Sequence, residues 1–167
     1  PATLPANTAV SRAPDADYVM VRADGSNVVF ARELGEQVAE IAGWESYDLV
    51  LGEDGEPVAL KGRQLTGLTY TCPIRQDLKG TVIYGDHVTL DSGTGAVHTA
   101  PGHGQDDYLV ALEFDVPLLL PVDDNGVLTD AAGPFARLDV EAAHPVTHTW
   151  PPPSGTPAAP KTTLAKH

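Results

Sequence analysis

Apolar and polar residues alternate in short runs along this chain, and glycine or proline breaks the runs every few residues. Short runs rich in β-branched and aromatic residues, bounded by turn residues, mark strands. Tyr18 to Arg22 and Asn27 to Phe30 are two such runs, separated by Ala23-Asp24-Gly25-Ser26. An Asp-Gly pair tolerates the positive φ angles of a tight hairpin turn, so this stretch predicts a β-hairpin. Further strands are predicted at Thr81 to Tyr84, His87 to Leu90, Ala96 to Thr99 and Leu118 to Val122, with Gly85-Asp86 turning the chain between the first two.

Two segments carry a helical period instead. In Ala31 to Ala42, the residues Leu34, Val38, Ile41 and Ala42 recur at helical spacing, and Gly43 follows as a stop. The second helix is predicted from Asp106 to Phe114, with Tyr108, Ala111 and Leu112 as its apolar face. Asp106 and Asp107 complement the positive end of that helix. Many short strands and few helices predict a mainly β fold, a closed β-barrel-like domain with a few peripheral helices. From Trp150 the chain reads Trp-Pro-Pro-Pro-Ser-Gly-Thr-Pro-Ala-Ala-Pro, which fits neither a helix interior nor a central strand. The expectation is one globular domain over residues 1–150 and an extended Pro-rich tail or linker over 151–167.

Composition narrows the picture. A chain of 167 residues, 42% of them hydrophobic, can bury a core and is not of the disordered class. No run reaches the roughly 20 apolar residues of a membrane helix. Pro1 to Val10 lacks the basic end and apolar run of a secretory leader. The chain starts at Pro1 without a methionine and reads as a fragment or processed product, with the cytoplasm as its expected compartment. Cys72 is the only cysteine, which excludes an internal disulfide and a multi-cysteine zinc site. Its apolar setting, Tyr70-Thr71-Cys72-Pro73-Ile74, predicts a buried, inert thiol. Ten basic against 23 acidic residues give a net charge of −13, which repels phosphate at long range. A nucleic-acid partner would then be held only at its tip, with other parts supplying affinity.

Candidate chemistry concentrates between Gly85 and Tyr108. Asp107 stands at a helix start; from spacing alone it could serve only the helix dipole, as Asp106 could. His98 follows Gly93-Thr94-Gly95 and, with an ordinary pKa near ~6.5, could take or give a proton or be structural. His103 lies between Gly102 and Gly104, in a loop where backbone can approach closely. His98 and His103 do not form a zinc pattern, so no metal is expected. A metal-dependent hydrolase built on two aspartates and two histidines is an alternative. His144, His148 and Trp150 are read as boundary residues, since Pro145 interrupts a helical pairing of the two histidines. Lys161, Lys166 and His167 form a weakly basic, solvated end.

The whole stretch Gly85-Asp86-His87-Val88-Thr89-Leu90-Asp91-Ser92-Gly93-Thr94-Gly95-Ala96-Val97-His98-Thr99-Ala100-Pro101-Gly102-His103-Gly104-Gln105-Asp106-Asp107-Tyr108 closely resembles the signature of the editing domain of bacterial-type isoleucyl-tRNA synthetases. Within the related isoleucine, valine and leucine enzymes, the His-Thr-Ala-Pro-Gly-His-Gly run favours the isoleucine branch. Thr3 to Val10, Pro14 to Tyr18, Leu60-Lys61-Gly62 and Ala132-Gly133-Pro134-Phe135 also resemble that family, so the likeness runs from about Ala2 to Pro145.

The resemblance implies hydrolytic editing of mischarged Val-tRNA(Ile): water attacks the ester that joins valine to the terminal adenosine. The implied partners are the 3′ end of mischarged tRNA(Ile), valine as the rejected amino acid, and a synthetase body carrying the domain. No cofactor is implied. A pocket discriminates one methylene by only ~1–3 kcal/mol, and a second, smaller pocket multiplies that selectivity. By resemblance, Asp107 holds the substrate ammonium through a charge-assisted hydrogen bond. His98 contacts the amino acid or orients water, and Thr3, Asn7, Thr99 and His103 belong to the substrate site. The chain departs from the family where a threonine run would precede Pro1, where Ala2 replaces a tryptophan, and beyond Pro145, where a final helix and a Cys-containing segment are missing. The family's ATP-binding signatures are absent as well, so this chain alone is not expected to activate isoleucine. The alternative within the family is a catalytically incomplete remnant that only binds aminoacyl-adenosine.

Overall fold

The computed structural model describes residues 3–143. His144, His148, Trp150 and the predicted tail over 151–167 lie outside the described residues, as do Pro1 and Ala2. The strands are β1 (Ala9–Arg12), β2 (Asp17–Ala23), β3 (Ser26–Ala31), β4 (Asp48–Leu49), β5 (Ala59–Lys61), β6 (Thr69–Cys72), β7 (Arg75–Tyr84) and β8 (Ala96–Thr99). The α-helices are α1 (Gly35–Ala42) and α2 (Gln105–Glu113), and short 3-10 turns lie at Leu4–Ala6, Arg32–Leu34, Gly62–Leu65 and Asp130–Phe135. The fold is mainly sheet with few helices, as predicted. Strand pairing gives two four-stranded sheets, and no closed barrel is found among the described residues. The chain divides into two compact units, one holding residues 11–66 and 83–97, the other 3–10, 67–82 and 98–143.

The first unit is organised by the predicted hairpin. β2 and β3 pair antiparallel from Tyr18↔Ala31 to Ala23↔Ser26. Asp24 (φ 47°) and Gly25 (φ 74°) both take the left-handed conformation that a two-residue turn of this twist requires. Along β2, Tyr18, Val19, Val21 and Ala23 are buried while Arg22 is exposed. β4 and β5 pair with the other edge of β2, at Val21↔Leu49 and Tyr18↔Leu60. Gly62 admits no side chain, because a Cβ there would lie 2.0 Å from the Ala13 carbonyl oxygen and 3.0 Å from the Tyr18 ring. Phe30 is fully buried and meets Tyr47 edge-on at 5.8 Å and Trp44 at 6.5 Å between ring centroids.

The helix predicted over Ala31 to Ala42 begins later, at Gly35. Ala31 is still committed to β3 through its pairing with Tyr18, and a 3-10 turn at Arg32–Leu34 makes the transition. Leu34 and Val38 are buried, but Ile41 is 57% exposed. The helix ends directly after it, at left-handed Gly43, so the apolar stripe has no further turn to continue on. His87 to Leu90 is not a strand. Val88 donates to the Gly85 carbonyl instead, closing a turn.

In the second unit lies most of the sheet ordered β6-β7-β1-β8. β6 and β7 form an antiparallel hairpin in which Thr69 faces Thr81, Tyr70 faces Gly80, and a bulge at Thr71/Cys72 precedes the turn. The Tyr70 ring lies over Gly80, where a Cβ would come within 2.3 Å of its phenol end. Cys72 is fully buried and its thiol pKa is raised by burial, in keeping with an inert thiol. A small core joins Leu128, Ala132, Phe135 and Ala143, flanked by Ile74, Val122 and Leu138. Arg75 braces it by donating to the Ala131 carbonyl and to Asp77.

Leu118 to Val122 is not a strand. Only Val122 forms a bridge, to Leu128, while Leu118 and Leu120 are more than half exposed. Pro117 precedes this run and Pro121 lies within it, and neither offers an amide hydrogen for a ladder. Helix α2 starts and ends one residue before its predicted bounds. Its buried residues are Val110 and Ala111, whereas Tyr108 and Leu112 are 44% and 62% exposed. The predicted apolar face is therefore mostly a solvent face, because the inner side needs only two residues.

Candidate functional site

The site is assembled from β8, the loop that follows it, and the turn that precedes β1. Thr3 closes onto the Leu4–Ala6 turn by accepting the Ala6 amide, and Asn7 ends that turn by donating to the Leu4 carbonyl. Pro5 opens the turn, where its missing amide hydrogen is not needed. β8 runs beside β1 and presents His98. The Thr8 amide bonds the Thr99 carbonyl at 3.2 Å, and this fixes the register between the two segments.

That register brings together residues far apart in sequence. Thr3 Oγ1 lies 3.0 Å from His98 Nε2. Asn7 Nδ2 lies 2.7 Å from His98 Nδ1 and donates to the Ala9 carbonyl at 2.8 Å. The hydroxyl of Tyr70 donates to Asn7 Oδ1. Burial raises the Tyr70 pKa, so the phenol keeps its proton.

Asp107 sits in the first turn of α2, yet its carboxylate does not cap that helix. Oδ2 accepts the Ala100 amide at 2.8 Å, at the exit from β8. Asp106, one residue earlier, is exposed. Spacing alone could not separate the two aspartates, although the resemblance singled out Asp107; the structure ties only Asp107 to the strand that carries His98. Among the described residues no lysine or arginine forms a salt bridge with Asp107, which leaves its negative charge available to a cation. Thr99 is fully buried. His103 is exposed and its amide closes a turn onto the Ala100 carbonyl at 2.9 Å. Gly102 supplies the close approach predicted for this loop, since a Cβ would lie 2.8 Å from the Leu119 carbonyl oxygen. Gly104 is in extended backbone that any residue adopts.

The structure thus unites Thr3, Asn7 and His98 by direct contact, places Asp107 on the adjoining loop, and leaves His103 outside the network. No group of three or more His, Cys, Asp or Glu side chains among the described residues could hold a metal ion. Tyr70 is the member that the sequence reading missed. Its pairing opposite Gly80 accounts only for its packing, since an aromatic ring covers the gap a glycine leaves; its contact with Asn7 spans 63 positions of the chain.

His98 is pushed down to about 4, chiefly by desolvation, with Asp107 pulling the other way. The ring is therefore neutral at neutral pH. Protonation costs the folded state, so the unfolded chain binds more protons between the ordinary histidine value near ~6.5 and about 4. The stabilisation is complete above about pH 6.5 and is lost as pH falls towards 4, amounting to about 2 kcal/mol for a partly exposed ring. Denaturant melts at pH 7 and pH 4.5 should show this loss in the wild type and a smaller one in His98→Gln. Equal losses in both proteins would assign the acid sensitivity to other groups.

No protein-family model matches the chain. It is 44% identical over 146 residues to the isoleucine–tRNA ligase of Enterococcus faecalis (strain ATCC 700802 / V583), a match over 87% of this chain and 15% of that protein. It is 40% identical over 144 residues to that of Geobacillus thermodenitrificans (strain NG80-2), covering 86% and 15%. To the isoleucine–tRNA ligase of Methanothermobacter marburgensis it is 43% identical over 150 residues, covering 86% and 13%. The chain thus spans about one-seventh of the length of these relatives. Among solved structures it resembles "The crystal structure of GlLeuRS-CP1", with a TM-score of 0.60 over 88% of this chain and 77% of that one. The identity there is 16%, so the likeness concerns the fold.

Proposed function

We propose, from the premise that this chain is homologous to a segment of the isoleucine–tRNA ligases, that it is an aminoacyl-tRNA editing hydrolase. Its substrate in this reading is Val-tRNA(Ile), and valine is the amino acid released. The observation that carries the reading is the convergence of Thr3, Asn7 and His98, with hydrogen-bonding distances of 3.0 and 2.7 Å, beside an aspartate without a cationic partner among the described residues.

Each part has a task in ester hydrolysis. The Asp107 carboxylate anchors the α-ammonium of the misplaced amino acid, at a distance fixed by the Ala100 amide. The neutral His98 and its partners supply oriented hydrogen-bond groups for the attacking water or the ester, where fixed dipoles are worth most. The strongly acidic chain supports contact with only the 3′ end of the tRNA, the rest being held by a synthetase body. A cytoplasmic setting and barrel-like closure of the editing core belong to the same proposal. The chain should release valine from Val-tRNA(Ile) and spare Ile-tRNA(Ile), measured as loss of acid-precipitable labelled amino acid. Equal release from both substrates would refute the assigned selectivity. No release by folded protein would favour the remnant that only binds aminoacyl-adenosine.

A further inference from the structure

The four side chains Tyr70, Asn7, His98 and Thr3 form one continuous hydrogen-bonded series, and its direction follows from a single backbone atom. The Ala9 carbonyl can only accept, so the Asn7 atom 2.8 Å from it must be the amide nitrogen. The other Asn7 terminus is then the carbonyl oxygen, and the Tyr70 hydroxyl donates to it. The amide nitrogen's second hydrogen points at His98 Nδ1, 2.7 Å away, so that ring nitrogen must be the acceptor. A neutral imidazole whose Nδ1 accepts carries its hydrogen on Nε2. Nε2–H therefore donates to Thr3 Oγ1 at 3.0 Å. A hydroxyl that accepts from the ring turns its own hydrogen away from it.

We infer that Tyr70 is a positioning residue whose hydroxyl, together with the Ala9 carbonyl, fixes the Asn7 amide, holds His98 in the Nε2–H form, and so turns the Thr3 hydroxyl hydrogen outward as a donor to the substrate ester or the adenosine. This inference rests on the editing reading for its substrate, but its geometry does not. Both ring nitrogens are committed, so His98 does not remove the proton from the attacking water; it transmits orientation. The low proton affinity of the ring, set chiefly by its desolvation, agrees with a neutral imidazole that accepts at Nδ1. Tyr70 itself is held in place by its packing over Gly80.

The test has a spectroscopic arm and a kinetic arm. In ¹⁵N-labelled wild-type protein at pH 7, the His98 ring should show a protonated Nε2 and an unprotonated Nδ1. In Asn7→Asp, where a carboxylate faces Nδ1, the hydrogen should move to Nδ1. Tyr70→Phe leaves the Ala9 carbonyl alone to orient the Asn7 amide, so an Nδ1–H form should appear beside the Nε2–H form, and kcat for valine release should fall about tenfold with KM within about twofold. A residue that only fills space would lower Tm without changing the tautomer. A wild-type ring protonated on Nδ1, or a Tyr70→Phe protein with an unchanged tautomer and unchanged kcat, would overturn the inference. If the wild type released no valine, the editing reading would fail alone, and the ring spectra would still decide the tautomer.

Discussion

Asp107→Asn is expected to cut valine release about 10- to 150-fold in kcat/KM while moving the melting midpoint by no more than about 2 °C. The two effects separate because Asp107 does two things. One oxygen accepts the Ala100 amide at 2.8 Å, and an asparagine carbonyl can accept the same hydrogen. Only the negative charge is lost. A hydrogen bond to a charged group contributes about 1.5–3 kcal/mol, and each 1.4 kcal/mol is a factor of ten, which sets the range. Asp107→Ala removes the acceptor as well, so it should lose activity to the same degree and cost about 1–3 kcal/mol of stability for the stranded amide. Full activity in Asp107→Asn would mean that the carboxylate only organises the β8–α2 loop, and that the ammonium is bound elsewhere.

The largest stability loss is expected at Phe30, which belongs to the other compact unit. Its ring is fully buried and packs against Trp44 and Tyr47. Phe30→Ala should cost about 3–5 kcal/mol, combining lost transfer energy with the cavity left behind. The neighbours cannot close that cavity easily. Trp44 is placed by the α1 terminus, where its amide bonds the Ala39 carbonyl at 2.9 Å. The Tyr47 hydroxyl already crowds Gly35, lying 2.7 Å from where a Cβ would stand. Urea melts should show a lower midpoint with an unchanged slope, and Phe30→Leu should recover much of the loss. A change below about 1 kcal/mol would mean that the cluster re-forms around the gap.

The sequence was most legible where a local rule decides the outcome. The Asp24-Gly25 turn needs left-handed backbone at both positions, and the hairpin around it forms as predicted. Asp106 and Asp107 marked the start of α2 to within a residue. The rule failed where a strand-like run has no hydrogen-bonding partner. His87 to Leu90 and Leu118 to Val122 have strand-like composition, but a turn claims the first, and Pro117 before the second and Pro121 within it deny it a ladder. The opposite failure is β7, which begins with Arg75-Gln76-Asp77 and so looks like a loop, yet is extended from Arg75, the partner of Cys72 in β6.

The candidate site was legible through resemblance more than through spacing. That likeness pointed to Thr3, Asn7, His98 and Asp107, but it could not say that three of them touch. Tyr70 escaped notice because its role depends on a contact with Asn7 across 63 positions of the chain. No periodicity carries such information. What distinguishes Asp107 from Asp106 is likewise a single tertiary hydrogen bond to Ala100.

Cys72 ends the strand that carries Tyr70, and it is the one thiol of the chain, fully buried and with a raised pKa. A thiol reagent can therefore reach it only when the β6–β7 hairpin opens. Labelling progress, compared with that of the unfolded chain, counts those openings and converts them to a local opening free energy. A substrate analogue that settles on the Asn7–Tyr70 side should slow the labelling in proportion to its occupancy. The buried sulfur thus makes the chain its own gauge of ligand binding, with no probe added to the site.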